Sequence, residues 1–173
     1  MNLLHNNTLG IDIGSTTVKI AVLDSEHHML FTDYERHYAN IQETLALLLS
    51  RAKEKLGEMT VSPSITGSGG LTLSGHLEVP FTQEVVAVAT ALQDYAPQTD
   101  VAIELGGEDA KIIYFTGGID QRMNGICAGG TGSFIDQMAS LLQTDASGLN
   151  EYAKNYQMIY PIAARCGVFA KSD

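Results

Sequence analysis

The spacing of apolar and polar positions changes several times along the chain, and each change predicts a different element. Residues 9–24 form two apolar, strand-like runs joined at a tight turn, Gly14–Thr17. Apolar side chains then recur at helical spacing over residues 41–56 and stop at Gly57, which predicts a helix. Two more strands and a second helix are predicted at residues 29–38, 61–66 and 83–95. The first part of the chain therefore has the order β-β-β-α-β-α.

A second cycle of the same pattern begins after Asp100. It predicts a hairpin, a third strand and a helix, at residues 101–104, 110–115, 119–123 and 131–142. The repeat is one of pattern and not of residue identity. The order of the first cycle is typical of a ribonuclease-H-like lobe. We therefore predict an α/β protein with a complete first lobe at residues 1–98 and a partial second lobe at residues 99–173.

Local patterns give two further interpretations. The glycine-rich stretch Gly67–Gly70 has no obvious helix after it and is interpreted as a flexible loop. Tyr152, Tyr156 and Tyr160 recur every four positions and predict a packed helical stripe before Pro161. The five histidines lack the i, i+4 spacing of a metal site, so surface or packing roles are expected for them.

Composition narrows the class of function. The 173 residues are 45% hydrophobic and carry a net charge of −10, which argues against a nucleic-acid surface. No apolar stretch approaches the length of a membrane span, and the N-terminus has no leader pattern, so a cytoplasmic protein is expected. The last residues carry no helix stop signal, from which we expect the chain to be a fragment of something longer.

The turn at Gly14–Thr17 carries candidate phosphate-binding chemistry. Its N–H groups, its hydroxyl groups and Lys19 can surround phosphate oxygens, and Asp12 can hold a hydrated Mg²⁺. The candidate cofactor-binding residues of this turn are Gly14, Ser15, Thr16, Thr17 and Lys19. Taken alone, the segment could be any hairpin with a Gly-Ser turn.

The second hairpin repeats the plan. Glu104 and Asp109 flank a glycine turn made by Gly106 and Gly107, between two apolar strands. The two carboxylates are candidates to orient water or metal, although Glu104 could equally be a solvated carboxylate at a strand end. Two such hairpins in one chain predict a nucleotide held between two lobes.

Asp-Ile-Gly-Ser-Thr-Thr-x-Lys and Leu-Gly-Gly-Glu-Asp-Ala-Lys resemble the two phosphate motifs of the actin/Hsp70/sugar-kinase ATPase superfamily. The resemblance implies that Asp12 binds Mg²⁺ through water, that Gly14, Ser15 and Thr16 cradle phosphates, and that Gly106 and Gly107 face the phosphates from the other lobe. Such second turns often carry Asp where this chain has Glu104.

The chain has two cysteines, Cys127 and Cys166, and neither belongs to a Cys-x-x-Cys motif. One interpretation is that both cysteines are inert buried thiols. However, each lies beside small residues and before a predicted helix, where a thiolate is favoured. A four-iron cluster takes four thiolates, so two per chain would predict a cluster that bridges a homodimer.

The segments Cys-Ala-Gly-Gly-Thr-Gly-Ser-Phe and Cys-Gly-Val-Phe-Ala-Lys-Ser-Asp resemble the activators of 2-hydroxyacyl-CoA dehydratases. These activators belong to the BadF/BadG/BcrA/BcrD ATPase family, and the resemblance runs from about residue 8 to the end. It implies ATP and Mg²⁺ as cofactors and one [4Fe–4S] cluster shared by two protomers, with Cys127 and Cys166 as its ligands.

The same resemblance implies a role for the whole protein. An electron driven by ATP hydrolysis would pass to an acyl-CoA dehydratase or reductase, with reduced ferredoxin or flavodoxin as the donor. The family's adenosine-binding segment does not appear in this sequence, so the fragment alone is expected to be inactive. A small-molecule kinase of the same superfamily and a non-catalytic lobe remain as alternatives.

Overall fold

The computed structural model describes residues 7–125, 129–164 and 166–173. The chain divides into two compact units, Met1–Gln98 and Thr99–Asp173. The described residues of the first unit form a four-stranded sheet and three helices: β1 (Asn7–Ile13), β2 (Thr17–Leu23), β3 (Met29–Arg36), α1 (Ile41–Leu56), β4 (Val61–Thr66), α2 (Gly70–Leu77) and α3 (Glu84–Tyr95). The sheet order is β3-β2-β1-β4, in which only β1 and β4 pair in parallel.

Large apolar side chains alternate with small or polar ones along β1 and β2, and this alternation decides which face of the sheet is buried. The apolar positions of the two strands lie on the same face as α1 and form the core with it: Leu9, Ile11, Ile13, Val18, Ile20, Val22, Leu45 and Leu48. The intervening positions Gly10, Asp12, Lys19 and Ala21 therefore lie on the opposite face. The candidate binding side chains and the core side chains thus lie on opposite faces of the sheet, because successive residues of a strand alternate between the two faces.

The strands and helices that the sequence predicts in the first unit are confirmed. In particular, α1 covers Ile41–Leu56 and ends at Gly57, whose positive φ of 77° is one that glycine adopts readily. The interpretation of Gly67–Gly70 as a flexible loop with no helix after it is wrong. Gly70 begins α2, and a Cβ there would lie 2.7 Å from Ile65 Cγ2, so close packing requires the glycine.

The described residues of the second unit form a three-stranded antiparallel sheet and three helices: β5 (Val101–Leu105), β6 (Ala110–Tyr114), β7 (Asp120–Met123), α4 (Gly132–Leu141), α5 (Ala146–Lys154) and α6 (Phe169–Ser172). The strand order is β5-β6-β7, which confirms the predicted hairpin and third strand. In the described part of the chain no helix is both long and apolar enough to cross a membrane.

The predicted stripe of tyrosines is wrong. Helix α5 ends at Lys154, and the N–H of Asn155 caps it by donating to Tyr152 O at 3.1 Å. Tyr156 and Tyr160 therefore lie beyond the helix, and both side chains are more than 60% exposed. The four-residue spacing of the tyrosines persists in the sequence, but the helix that would align them on one face stops too early.

Candidate functional site

The first glycine turn closes the hairpin of β1 and β2. Gly14 N–H donates to Thr17 O at 2.9 Å, which places Ser15 and Thr16 at the tip. Within residues 7–125, the N–H groups of these two tip residues have no hydrogen-bond partner. Gly14, Ser15, Thr16 and Thr17 are thus brought together, and the tip offers backbone donors to an anion.

Asp12 and Lys19 form a cross-strand ion pair beside this turn. The two residues are directly opposite in the register of β1 and β2, and Lys19 Nζ lies 2.7 Å from Asp12 Oδ2. Both side chains keep part of their surface exposed, 49% for Lys19 and 32% for Asp12. The pair is therefore accessible to a ligand at the end of the hairpin.

A cavity of about 1010 Å³ lies between this face of the sheet and α3. Asp12 and Lys19 line it, and small residues such as Gly10, Ala21 and Ala87 leave the space open. The small side chains on the strands thus keep the helix from filling the face that carries the charged pair.

Sequence reasoning missed Gly67, which lies against Asp12. Gly67 follows β4 with a φ of 94°, and a Cβ there would lie 2.5 Å from Asp12 Oδ1 and closer still to Ile13 O. Gly69 N–H also donates to Ile13 O at 2.9 Å. A signal was present in the sequence, because a glycine cluster directly after a strand marks the carboxyl edge where parallel strands carry ligand sites.

Thr66 supplies a further polar atom at the same edge. It pairs with Asp12 in the parallel register of β1 and β4 and lines the same cavity. Among the described residues its Oγ1 is a buried atom with no hydrogen-bond partner. The Asp12 carboxylate, the Thr66 hydroxyl and the space beside Gly67 fit a hydrated cation with phosphate, and Asp12 would hold that cation through water.

The second glycine turn closes the hairpin of β5 and β6. Gly106 N–H donates to Asp109 O at 2.8 Å. Lys111, whose side chain is only 9% exposed, lies 3.5 Å from Glu104 Oε1 and 3.2 Å from Asp109 Oδ2. Both candidate carboxylates are thus brought together around a buried ammonium group, which compensates one of their two negative charges.

The start of α4 packs directly on this second turn. Gly132 N–H donates to Gly106 O at 2.9 Å, and Ser133 N–H donates to Gly107 O at 2.8 Å. These bonds use N–H groups that the first turn of a helix cannot satisfy internally. These two bonds therefore couple the position of α4 to the position of the glycine turn.

Of the two cysteines, Cys166 belongs to the part of the chain that the structure describes. Cys127 lies outside the described residues. Cys166 is partly buried, and its carbonyl accepts from Ala170 N–H at 2.9 Å, just before α6. A Cβ on the next residue, Gly167, would lie 3.4 Å from Gly129 Cα and 3.4 Å from Phe134 Cδ2.

These contacts place Cys166 near the chain that leads into α4. Gly129 lies three positions before Gly132, the first residue of α4. A partly exposed thiol beside small residues fits a cluster ligand. Within the described residues, no group of three or more His, Cys, Asp and Glu side chains could hold a metal ion.

The two sheets with their glycine-turn hairpins define the fold class, an actin-like α/β fold, and comparison with solved structures supports it. One is the (R)-2-hydroxyglutaryl-CoA dehydratase component A of Acidaminococcus fermentans, with a TM-score of 0.85 and 28% identity over 96% of this chain and 66% of that one. Another is the activator of the 2-hydroxyisocaproyl-CoA dehydratase from Clostridium difficile with bound ADPNP, with a TM-score of 0.83 and 27% identity over 96% and 63%.

The family model of the BadF/BadG/BcrA/BcrD ATPases matches residues 9–173, and this chain belongs to that family. Among curated relatives, the 2-hydroxyisocaproyl-CoA dehydratase activator of Clostridioides difficile is 29% identical over 96% of this chain. The chain spans 64% of the length of that relative. The resemblance that the sequence motifs indicated is confirmed.

Proposed function

We propose that this chain is the phosphate-binding and cluster-binding part of an ATP-dependent activator, which passes an electron to a 2-hydroxyacyl-CoA dehydratase or a related reductase. Family membership supports the ATPase activity, and the names of the relatives support a dehydratase as partner. The proposed donor is reduced ferredoxin or flavodoxin, and the proposed compartment is the cytoplasm.

The proposed role of the first unit is to bind phosphate and Mg²⁺. N–H groups at Ser15 and Thr16 donate to phosphate oxygens, and Lys19 adds positive charge. In the structure Lys19 pairs with Asp12 at 2.7 Å. Bound phosphate would compete for the ammonium group, and Asp12 would then be free to accept hydrogen bonds from the water shell of Mg²⁺.

The proposed role of the second unit is to bind phosphate at Gly106 and Gly107 and to transmit its presence to the cysteines. Glu104 and Asp109 lie beside this turn and would orient water or metal. Cys127 and Cys166 of two protomers would together ligate one [4Fe–4S] cluster. That group, when bound, supplies the electron that the dehydratase receives.

One observation carries this proposal: the hydrogen bonds from Gly132 and Ser133 to the carbonyl groups of Gly106 and Gly107. Helix α4 follows the Cys127 segment, and its Phe134 contacts the Gly167 segment beside Cys166. Phosphate that moves the glycine turn therefore moves the frame around the cysteines. Exposure and hydrogen bonding at sulfur tune the potential of an iron–sulfur cluster, so such a shift can change electron transfer.

The phosphate-binding role is tested by titrating the purified chain with ATP and Mg²⁺ in a calorimeter. Asp12→Asn should lower the affinity for the Mg²⁺ complex about tenfold or more, because a charged hydrogen-bond acceptor is lost. Asp94→Asn is the matched control, since Asp94 lines the same cavity but pairs with His27 at 3.0 Å. Equal affinity in the Asp12→Asn variant and the parent would contradict the proposed Mg²⁺ role.

The cluster-binding role is tested by anaerobic reconstitution with iron and sulfide. We expect four irons for two chains, a dimer in sizing experiments, and loss of both in Cys127→Ser and in Cys166→Ser. ATP binding without any cluster would instead favour a small-molecule kinase whose cysteines are merely packed.

A further inference from the structure

We propose that His37 is a positioning residue for the glycine turn at Gly14–Thr17: it holds two carbonyl groups of the turn and so directs its N–H groups at the nucleotide. The inference rests on the phosphate-binding role proposed above. Nothing in the spacing of the histidines marks this one, and only the tertiary structure brings it to the turn.

His37 lies directly after β3, and only 8% of the residue is exposed. Its backbone N–H donates to Thr16 O at 3.1 Å. Its ring Nε2 lies 3.2 Å from Gly14 O, although the two residues are 23 positions apart. One residue therefore contacts both carbonyl groups that flank Ser15.

The other ring nitrogen fixes the tautomer. Ala39 N–H donates to Nδ1 of His37 at 3.1 Å, so Nδ1 acts as an acceptor and carries no proton. A neutral imidazole then has its hydrogen on Nε2. Nε2–H is thus the donor and Gly14 O the acceptor, and the two ring contacts are compatible only in this tautomer.

The chain after His37 is held in an unusual conformation by the same residue. Tyr38 and Ala39 both have positive φ, 43° and 69°, which is uncommon for residues other than glycine. Asn40 N–H donates to His37 O at 2.6 Å and closes this turn immediately before α1. Strained backbone of this kind persists only where its surroundings hold it, and it concentrates at functional sites.

These bonds set the direction of the N–H groups in the glycine turn. In a trans peptide the carbonyl oxygen and the following N–H point in opposite directions. When Gly14 O is turned toward His37, the N–H group of Ser15 is turned away from it. The second bond, to Thr16 O, holds the other end of the tip and so limits the movement of the Thr16 N–H. Donors fixed before the ligand arrives bind an anion more strongly than donors that must reorient.

The test compares three variants of the 173-residue chain by ATP titration in the presence of Mg²⁺. His37→Asn can still accept from Ala39 N–H, but its side chain is too short to reach Gly14 O. His37→Gln carries an amide N–H near the position of Nε2 and should rescue the turn. Thr44→Ala is the matched control, since Thr44 is buried at the start of α1 and its hydroxyl donates to Asn40 O.

We expect His37→Asn to weaken ATP binding about fivefold to tenfold, the value of one hydrogen bond, and His37→Gln to stay within about twofold. Thr44→Ala should leave ATP affinity unchanged. Equal affinity in His37→Asn and the parent, or an equal loss in Thr44→Ala or His37→Gln, would overturn the proposal.

Two readouts on the nucleotide-free chain separate this inference from the proposed function. Nitrogen NMR of His37 should show the Nε2–H tautomer, and amide exchange at Ser15–Thr17 should be faster in His37→Asn than in His37→Gln. An Nδ1–H tautomer or equal exchange in the two variants overturns the role of His37 even if ATP binds. Failure of the parent chain to bind ATP counts against the phosphate-binding role alone.

Discussion

Replacement of Gly67 by alanine tests whether the edge of β4 fixes the position of Asp12. Two costs are expected. The first is conformational, because a φ of 94° costs an alanine about 1–2 kcal/mol relative to glycine. The second is steric, because the new Cβ would lie 2.5 Å from Asp12 Oδ1 and 2.6 Å from Ile13 C, well inside contact distance.

The steric cost falls on atoms that move only with difficulty. The carbonyl of Ile13 belongs to β1 and already accepts from Gly69 N–H, so the strand cannot shift without losing that bond. Overpacking at such a site costs about 1–3 kcal/mol. We therefore expect Gly67→Ala to lower the free energy of unfolding by about 2–5 kcal/mol, a large fraction of the total for a domain.

Gly57→Ala is the matched control. Gly57 has a φ of 77°, but a Cβ there would meet no atom within 4 Å. It therefore carries the conformational cost alone, and the difference between the two variants measures the clash. The assay is urea unfolding followed by circular dichroism, with hydrogen exchange on residues 7–66 to assign the transition to the first unit.

A Gly67→Ala variant that is no less stable than Gly57→Ala would contradict the predicted clash. The clash with Asp12 has a separate consequence, since a displaced carboxylate should also weaken Mg²⁺-dependent ATP binding at urea concentrations where the variant is folded. Loss of stability with unchanged binding would show that Gly67 serves β1 and not Asp12.

Two further predictions concern the other turns. Gly106→Ala should weaken ATP binding, because its Cβ would clash with Asp109 Oδ1 and lie 3.1 Å from Asp109 O. In Gly125→Ala the new Cβ would meet no atom within 4 Å, so this control variant should bind ATP as the parent does. Calorimetric titration of both variants with ATP is the measurement. The N–H of His28 and, to a smaller extent, of Glu26 hold the pKa of Asp24 below its ordinary value of 3.8. The Asp24 carboxylate therefore stabilises the fold fully above that value and loses this contribution as the pH falls through the lower folded pKa. In urea unfolding, the free energy of unfolding of Asp24→Asn should therefore be lower than that of the parent at pH 7, and the difference should disappear in stronger acid. A difference that stays constant with pH would refute the assignment.

Local elements were predictable because their signals are local. The alternation in residues 9–24 and the helical spacing of residues 41–56 each depend on neighbours a few positions away, and both elements have the expected bounds. The phosphate turn at Gly14 follows from the same hairpin. By contrast, α2 was missed, because its glycines are poor helix formers; Gly70 is required there by its packing on Ile65. The tyrosine repeat misled for the opposite reason, since a periodic pattern continued after its helix had ended.

The sequence by itself determined the two hairpins with their glycine turns, the separation of core and charged positions on β1 and β2, and the family to which the chain belongs. Only the tertiary structure decided that Gly67 lies against Asp12, that His37 reaches Gly14, and that Gly167 packs on Gly129 and Phe134. These contacts join residues far apart in the chain through the parallel pairing of β1 with β4 and through loop closure. The free energy of such contacts depends on distance in space, which periodicity along the chain does not encode.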